Sequence, residues 1–231
     1  MFQIKNEAQR ATVYLYGTIG ADFWDEDSSN TAKTFAATLD SLSPKPLDIR
    51  VDSCGGDVYE GFAIASAIQR YEGDTTCYID GIAASAASYV ALMADRVVMN
   101  DYSQIMIHNA WTWCSGNSAE LLEMAGRLDA LDGTIAGIIA ARSGMELDAV
   151  REAMAAETWY SADDAVANGL ADEVVKTEQR MAASIDRAML AAFKHVPHGL
   201  EEKSHAANTI QDDEGHGRSV VMGNRIYRVE R

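Results

Sequence analysis

With 231 residues and a net charge of −16, the chain can hold one domain with a good core plus a tail, and its acidic surface would repel nucleic acid. No run approaches the ~18 apolar residues of a membrane span, and the charged stretch 1–10 is not a signal peptide. Cys54, Cys77 and Cys114 are odd in number and lack metal-ligand spacing, so they read as free thiols in a reducing compartment, and no metal and no cofactor is expected.

The first strand is expected over 11–16, ending at Gly17, followed by a polar loop over 22–30. Phe35, Leu39 and Leu42 fall at helical spacing in 31–42, and Pro44 and Pro46 stop that helix. A second strand, 47–51, runs through Asp52-Ser53-Cys54-Gly55-Gly56-Asp57 into a helix from about 58 to 71. A third, 75–79, is rich in β-formers and leads through Asp80-Gly81-Ile82-Ala83-Ala84 to a small-residue helix from Ser85 to about Met93. Short strands follow at 95–99 and 104–108, the second ending in His108. Strands alternating with helices imply βαβ units and a largely parallel sheet.

A long helix is expected over 118–141, with Leu121, Met124, Ala125, Leu128, Leu131, Ile135, Ile138 and Ile139 as its apolar stripe. It reads either as an ordinary core helix or as an arm that packs on another subunit. A short helix at 145–154, an extended segment at 158–160, a helix capped by Ser161 and closed by Gly169, and a last strand at 172–175 complete the body. A terminal helix is expected over 177–193. After His195 the chain turns polar and reads as flexible to Gly217, with some apolar residues returning over 219–229.

Three features carry chemistry. Ser85, where a strand turns sharply into a helix, reads either as a helix cap or as a nucleophile facing free backbone N–H groups. His108 is the only histidine before His195, so any general base of near-neutral pKa is this residue; as a lone histidine it also reads as structural. The Gly55-Gly56 turn reads either as a tight turn or as backbone exposed to an oxyanion or an extended peptide.

Four motifs, Val51-Asp52-Ser53-Cys54-Gly55-Gly56-Asp57-Val58, Asp80 through Ser88, Ile105-Met106-Ile107-His108-Asn109-Ala110-Trp111, and Glu157-Thr158-Trp159-Tyr160-Ser161-Ala162 leading to Asp172, occur in this order over 11–175. With them the chain resembles the proteolytic subunit of the Clp protease, in particular its phage and prophage relatives. The resemblance implies an α/β fold of the ClpP/crotonase type, with repeated ββα and βαβ units and a long handle helix. It implies a protease domain over 1–176, a C-terminal helix over 177–195 and a tail over 196–231. It implies a serine endopeptidase with Ser85 as nucleophile, His108 as general base and then acid, and Glu157 as the orienting acid. The N–H groups of Gly55 and Ala86 would form the oxyanion hole, and Gly56, Asp57, Val58, Ala110, Trp111 and Thr112 would line an extended peptide substrate. A homo-oligomeric ring joined through the handle helix is implied, in the host cytoplasm or a phage prohead, where capsid or scaffold precursors would be cut.

Three departures stand out. Cys54 replaces a proline usual before Gly-Gly, Glu157 is one methylene longer than the usual aspartate, and about ten residues precede the first expected strand, which argues against an ATPase partner. The enoyl-CoA hydratases share the fold class but need no aligned serine and histidine. Signal-peptide peptidases use a serine–lysine dyad, and no lysine lies between Lys45 and Lys176. A Clp-type housekeeping peptidase fed by an ATPase unfoldase, or an inactive scaffold retaining the fold, are the remaining alternatives.

Overall fold

The computed structural model describes residues 3–21, 30–42, 44–176, 193, 195, 218–222 and 225–229, and it divides into two units, Met1–Arg180 and Met181–Arg231. The loop expected over 22–30 except its last residue, the terminal helix expected over 177–193 except its last residue, and the polar stretch 196–217 lie outside the described residues.

The first unit is built on a mixed sheet of eight strands: β1 (Gln3–Asn6), β2 (Ala11–Tyr16), β3 (Leu47–Ser53), β4 (Thr75–Ala84), β5 (Arg96–Asn100), β6 (Gln104–Ile107), β7 (Thr158–Ser161) and β8 (Glu173–Val175). Its main path runs β1-β2-β3-β4-β5-β8, parallel from β2 onward, while β6 pairs parallel with β4 and antiparallel with β7. Strand β1, antiparallel to β2, was not expected; all four of its residues are exposed, so no buried-face alternation marks it.

Strand β4 is also longer than expected. Asp80-Gly81 reads locally as a turn, yet the strand continues to Ala84. The sheet forks there: Thr76–Ile79 pair with β5, and Ile82–Ala84 pair with β6. Against β3, the register moves from Val51↔Ile79 to Ser53↔Ala83, so β4 spends two extra residues on the step. Asp80 is buried at the fork because Arg50 Nε donates to its Oδ2 at 2.7 Å and the Tyr16 hydroxyl donates to the same oxygen at 2.6 Å.

Helices α1 (Ala32–Ser41), α2 (Val58–Gln69), α3 (Ala86–Ala91), α4 (Ser118–Ser143), α5 (Leu147–Ala155) and α6 (Ala162–Ala167) join the strands. The core comprises Val13, Leu15, Ile49, Val51, Ile79 and Val97 from the sheet with Phe35, Ile64, Ile68 and Leu92 from the helices. Burying each such side chain stabilises the fold by about 1.5–3 kcal/mol. Ser161 caps α6 as expected, its hydroxyl accepting from the Asp164 N–H.

Helix α4 divides along its 26 residues. A capping box of Asn117 and Glu120 starts it, and Gly144 at φ 75° ends it. Ile135, Ala136 and Ile139 in its second half are buried, whereas Leu121 and Leu122 in its first half are 42% and 70% exposed. The core reading thus holds for the second half of the helix, while the first half carries apolar residues on its surface.

In the second unit, β9 (Arg218–Met222) and β10 (Arg225–Val229) form an antiparallel pair with Arg225 opposite Met222 and Val229 opposite Arg218. Among the described residues, no helix is long and apolar enough to cross a membrane.

Candidate active site

Two strand-to-helix turns, from β3 to α2 and from β4 to α3, lie side by side. In the second, the Ser85 N–H donates to the Met106 carbonyl at 3.0 Å, extending the β4–β6 ladder by one residue before the chain turns. Ser85 takes φ 53°, ψ −124°, a conformation rare for any residue with a side chain. Such geometry costs on the order of 1–3 kcal/mol and persists only where the surroundings enforce it. Ser85 occupies the cap position of α3, but its hydroxyl makes no capping bond. Instead Oγ lies 2.8 Å from Nε2 of His108. The cap reading of Ser85 is therefore excluded, and the side chain is left facing an imidazole.

The neighbouring turn supports this one by close contact. A Cβ at Gly55 (φ +95°) would lie 2.7 Å from the Ala84 oxygen, 2.8 Å from Ser85 Cβ and 2.9 Å from the Ala86 nitrogen, so only glycine fits. The peptides of Gly55 and Ala86 thereby meet beside Ser85. The Gly55 N–H donates to Ser53 Oγ at 3.1 Å, so an oxyanion would have to compete with a neutral hydroxyl for it. Gly56 is bridged to Ile19, with the Ile19 N–H donating to the Gly55 carbonyl and the Asp57 N–H to the Ile19 carbonyl. Asp57 caps α2, its Oδ1 accepting from Tyr59 and Glu60, and Val58 is the first residue of that helix. The stretch expected to line an extended peptide thus stays extended through Asp57, at φ −65° and ψ 127°, and turns helical at Val58.

His108 follows β6 directly. Continuing the β6–β7 register from Ile107↔Thr158 by one residue sets Glu157 opposite His108. Glu157 is buried and, like Ser85, takes φ 53°, and its N–H donates to the Met154 carbonyl at the end of α5. Beyond His108 the chain is irregular. The Ala110 N–H donates at 2.7 Å to Oδ1 of Asp132 on α4, while Trp111 and Thr112 are exposed. Burial pushes the Asp132 carboxyl upward from its ordinary pKa.

Asp52 and Asp132 were given no role by sequence reasoning. Asp52 Oδ1 accepts from the Ile82 N–H at 3.2 Å, bridging the irregular step between β3 and β4 just below both turns. Burial pushes its carboxyl up to about 6, the Ile82 N–H opposing and the nearby Asp80 reinforcing the shift. Asp52 continues the alternation of Asp48 and Arg50 with Leu47, Ile49 and Val51, so its place in the sequence carries no signal of burial. Among the described residues no group of His, Cys, Asp and Glu is arranged to hold a metal ion.

Comparison with known proteins places this geometry in context. The family model described as Clp protease matches residues 9–178. An ATP-dependent Clp protease proteolytic subunit from Bacteroides fragilis is 29% identical over 154 residues, covering 65% of this chain and 74% of that protein. A protein of the same description from Porphyromonas gingivalis is 26% identical over 159 residues, covering 68% and 72%. The solved structure of a ClpP1 mutant from Listeria monocytogenes is 22% identical with a TM-score of 0.62, covers 72% of this chain and 92% of its own, and shares the fold.

Proposed function

The chain belongs to the Clp protease family, and on that premise we propose that it is a serine endopeptidase whose reacting groups are Ser85 and His108. The observation that carries this is the 2.8 Å contact between Ser85 Oγ and His108 Nε2 at a strained turn that makes no helix cap. His108 takes the hydroxyl proton as Oγ bonds to the scissile carbonyl carbon. The carbonyl oxygen becomes an oxyanion next to the Ala86 and Gly55 amides. His108 returns the proton to the leaving amine as the C–N bond breaks, and water then hydrolyses the acyl-enzyme by the same route. Glu157, opposite His108 by register, is proposed to orient the imidazole. Sequestering the Gly55 N–H on Ser53 leaves Ala86 as the first oxyanion donor, with Gly55 joining as negative charge develops.

The proposed task is maturation of a phage or prophage head by cleavage of capsid or scaffold precursors. It is supported by the phage-type character of Gly55-Gly56-Asp57-Val58, Ile107-His108-Asn109-Ala110-Trp111 and Glu157-Thr158-Trp159. The second reading, a housekeeping peptidase served by an ATPase unfoldase, is favoured by the relatives described as ATP-dependent. The active particle is proposed to be a homo-oligomeric ring, supported by the exposed Leu121 and Leu122 on the α4 arm and by Trp111 and Trp113 before it.

A fluorophosphonate should label the parent protein and not Ser85→Ala; labelling that persists in the variant overturns the nucleophile. Co-expression with neighbouring capsid and scaffold proteins should give Ser85-dependent trimming without ATP. Degradation that requires ATP and an unfoldase, without trimming, selects the housekeeping reading.

A further inference from the structure

We propose that Tyr89 restricts the cleavage site, so that the residue contributing the attacked carbonyl is glycine or alanine. This rests on Ser85 acting as the nucleophile. The side chain of the acylating residue hangs from the α-carbon bonded to the carbon attached to Ser85 Oγ, so it falls within reach of a cavity that opens beside that atom. Ser85 and His108 both line one cavity, whose other walls include Val58, Tyr89, Ile107, Ile135 and Ile139. The cavity volume there is about 10 Å³. That is room for about one water, and hence for a group the size of a methyl.

The walls leave no simple way to enlarge it. Tyr89 is 1% exposed, and its hydroxyl donates to the Val58 carbonyl at 2.9 Å. Its ring stands against Phe62 with centroids 5.3 Å apart. A Cβ on Gly61 would lie 2.3 Å from the Tyr89 oxygen, so α2 is fitted to the ring at that point. Swinging the ring out would break the hydrogen bond and open a hole in a packed core. Ile107 and Ile139 are also buried, and as β-branched residues they have few alternative rotamers. A leucine or phenylalanine side chain would overpack the site. The apolar walls equally disfavour a charged one.

The test isolates this cavity by using small acyl donors: p-nitrophenyl esters of N-acetyl-alanine, N-acetyl-leucine and N-acetyl-phenylalanine, offered to the full chain. In such pockets a single methylene changes kcat/KM by about 10–200-fold, so the alanine ester should exceed the leucine ester by at least ~10-fold and the phenylalanine ester by more. Tyr89→Leu should raise the phenylalanine ester rate relative to alanine by ~10-fold; should that variant not fold, the parent series decides alone. Fluorophosphonate labelling of Ser85 is measured on the same preparation. Absent labelling overturns both the serine-peptidase reading and this inference. Labelling of Ser85 with equal or reversed ester rates, or with no turnover of any ester, overturns the inference alone.

Discussion

The two turns that meet at the site solve one problem in opposite ways. From β3 to α2 the chain uses glycines at φ +95° and +151°, and Asp57 caps the helix with two hydrogen bonds of 2.9 Å. From β4 to α3 it places a serine at φ 53° and leaves the helix uncapped by it. The first turn follows the rules that make turns stable: no Cβ where φ is positive, and a carboxylate on the orphan amides. The second breaks both rules, and it is the one whose hydroxyl meets a histidine. Local cost is concentrated where the backbone is held out of its comfortable basin so that the Ser85 side chain meets the His108 imidazole.

The sharpest way to break this contrast is at Ser85. Ser85→Ala should lower peptide hydrolysis by ~10³-fold or more, to the level left by binding and the oxyanion amides. Ser85→Gly should lose as much activity yet gain about 1 kcal/mol of stability, because glycine accepts positive φ without strain. A thermal melt showing Ser85→Gly no more stable than Ser85→Ala would remove strain from the account.

At the other turn the expected response is reversed. Gly55→Ala places a methyl within 2.7 Å of the Ala84 oxygen at a positive φ, so backbone must move. A destabilisation of about 1–3 kcal/mol should come with a loss of activity near 10²-fold, since the displaced atoms belong to the Ser85–Ala86 junction. Stability and kcat measured together decide it: a melt shifted downward with kcat intact would show that the turns are not coupled.

Much of this was legible before any coordinates. The order of strands and helices, the largely parallel sheet and the Ser161 cap follow from alternation and capping residues, and the family resemblance implied the pairing of Ser85 with His108. What escaped has physical reasons. Gln3–Asn6 has no buried face, so it leaves no pattern. Asp80-Gly81 looks like a turn, and Arg50, Tyr16 and Asn100, distant in sequence, make it tolerable inside a strand. The stripe on α4 shows which residues share a face but not which half of that face the body covers. The small cavity behind Ser85 depends on Tyr89 meeting Gly61 and Val58 from another helix, which spacing along one element does not reveal.

Asp52 ties the two turns together, and its charge gives a pH handle on the link. Its folded-state pKa of about 6 lies above the ~3.9 of an unfolded aspartate. Between those values the folded chain keeps a proton that the unfolded chain has released, so this group makes stability fall as pH rises from about 4 to 6. Above that window the buried charge, close to Asp80, costs on the order of 3 kcal/mol. Asp52→Asn keeps an oxygen for the Ile82 N–H and removes the charge. It should raise Tm at pH 8 while leaving it nearly unchanged at pH 4; a variant less stable than the parent at pH 8 would mean that the carboxylate is needed as an ion.

The smallest effect is expected at Asp57, and it separates two roles for one residue. As a cap, its carboxylate accepts from the Tyr59 and Glu60 amides at the start of α2. Replacing such a cap with alanine costs about 1 kcal/mol, whereas asparagine caps nearly as well and gives up only its charge near the helix start. Asp57→Ala should therefore lower Tm by a few degrees, and Asp57→Asn should recover most of that loss. A side chain in contact with substrate would behave differently: KM would rise in both variants, and asparagine would rescue neither binding nor the cleavage rate. Restoration by asparagine keeps this turn as the conventional partner of the strained one. Failure of asparagine to restore stability, together with a raised KM, would make Asp57 part of the binding surface, and the division between a structural turn and a reactive turn would no longer hold.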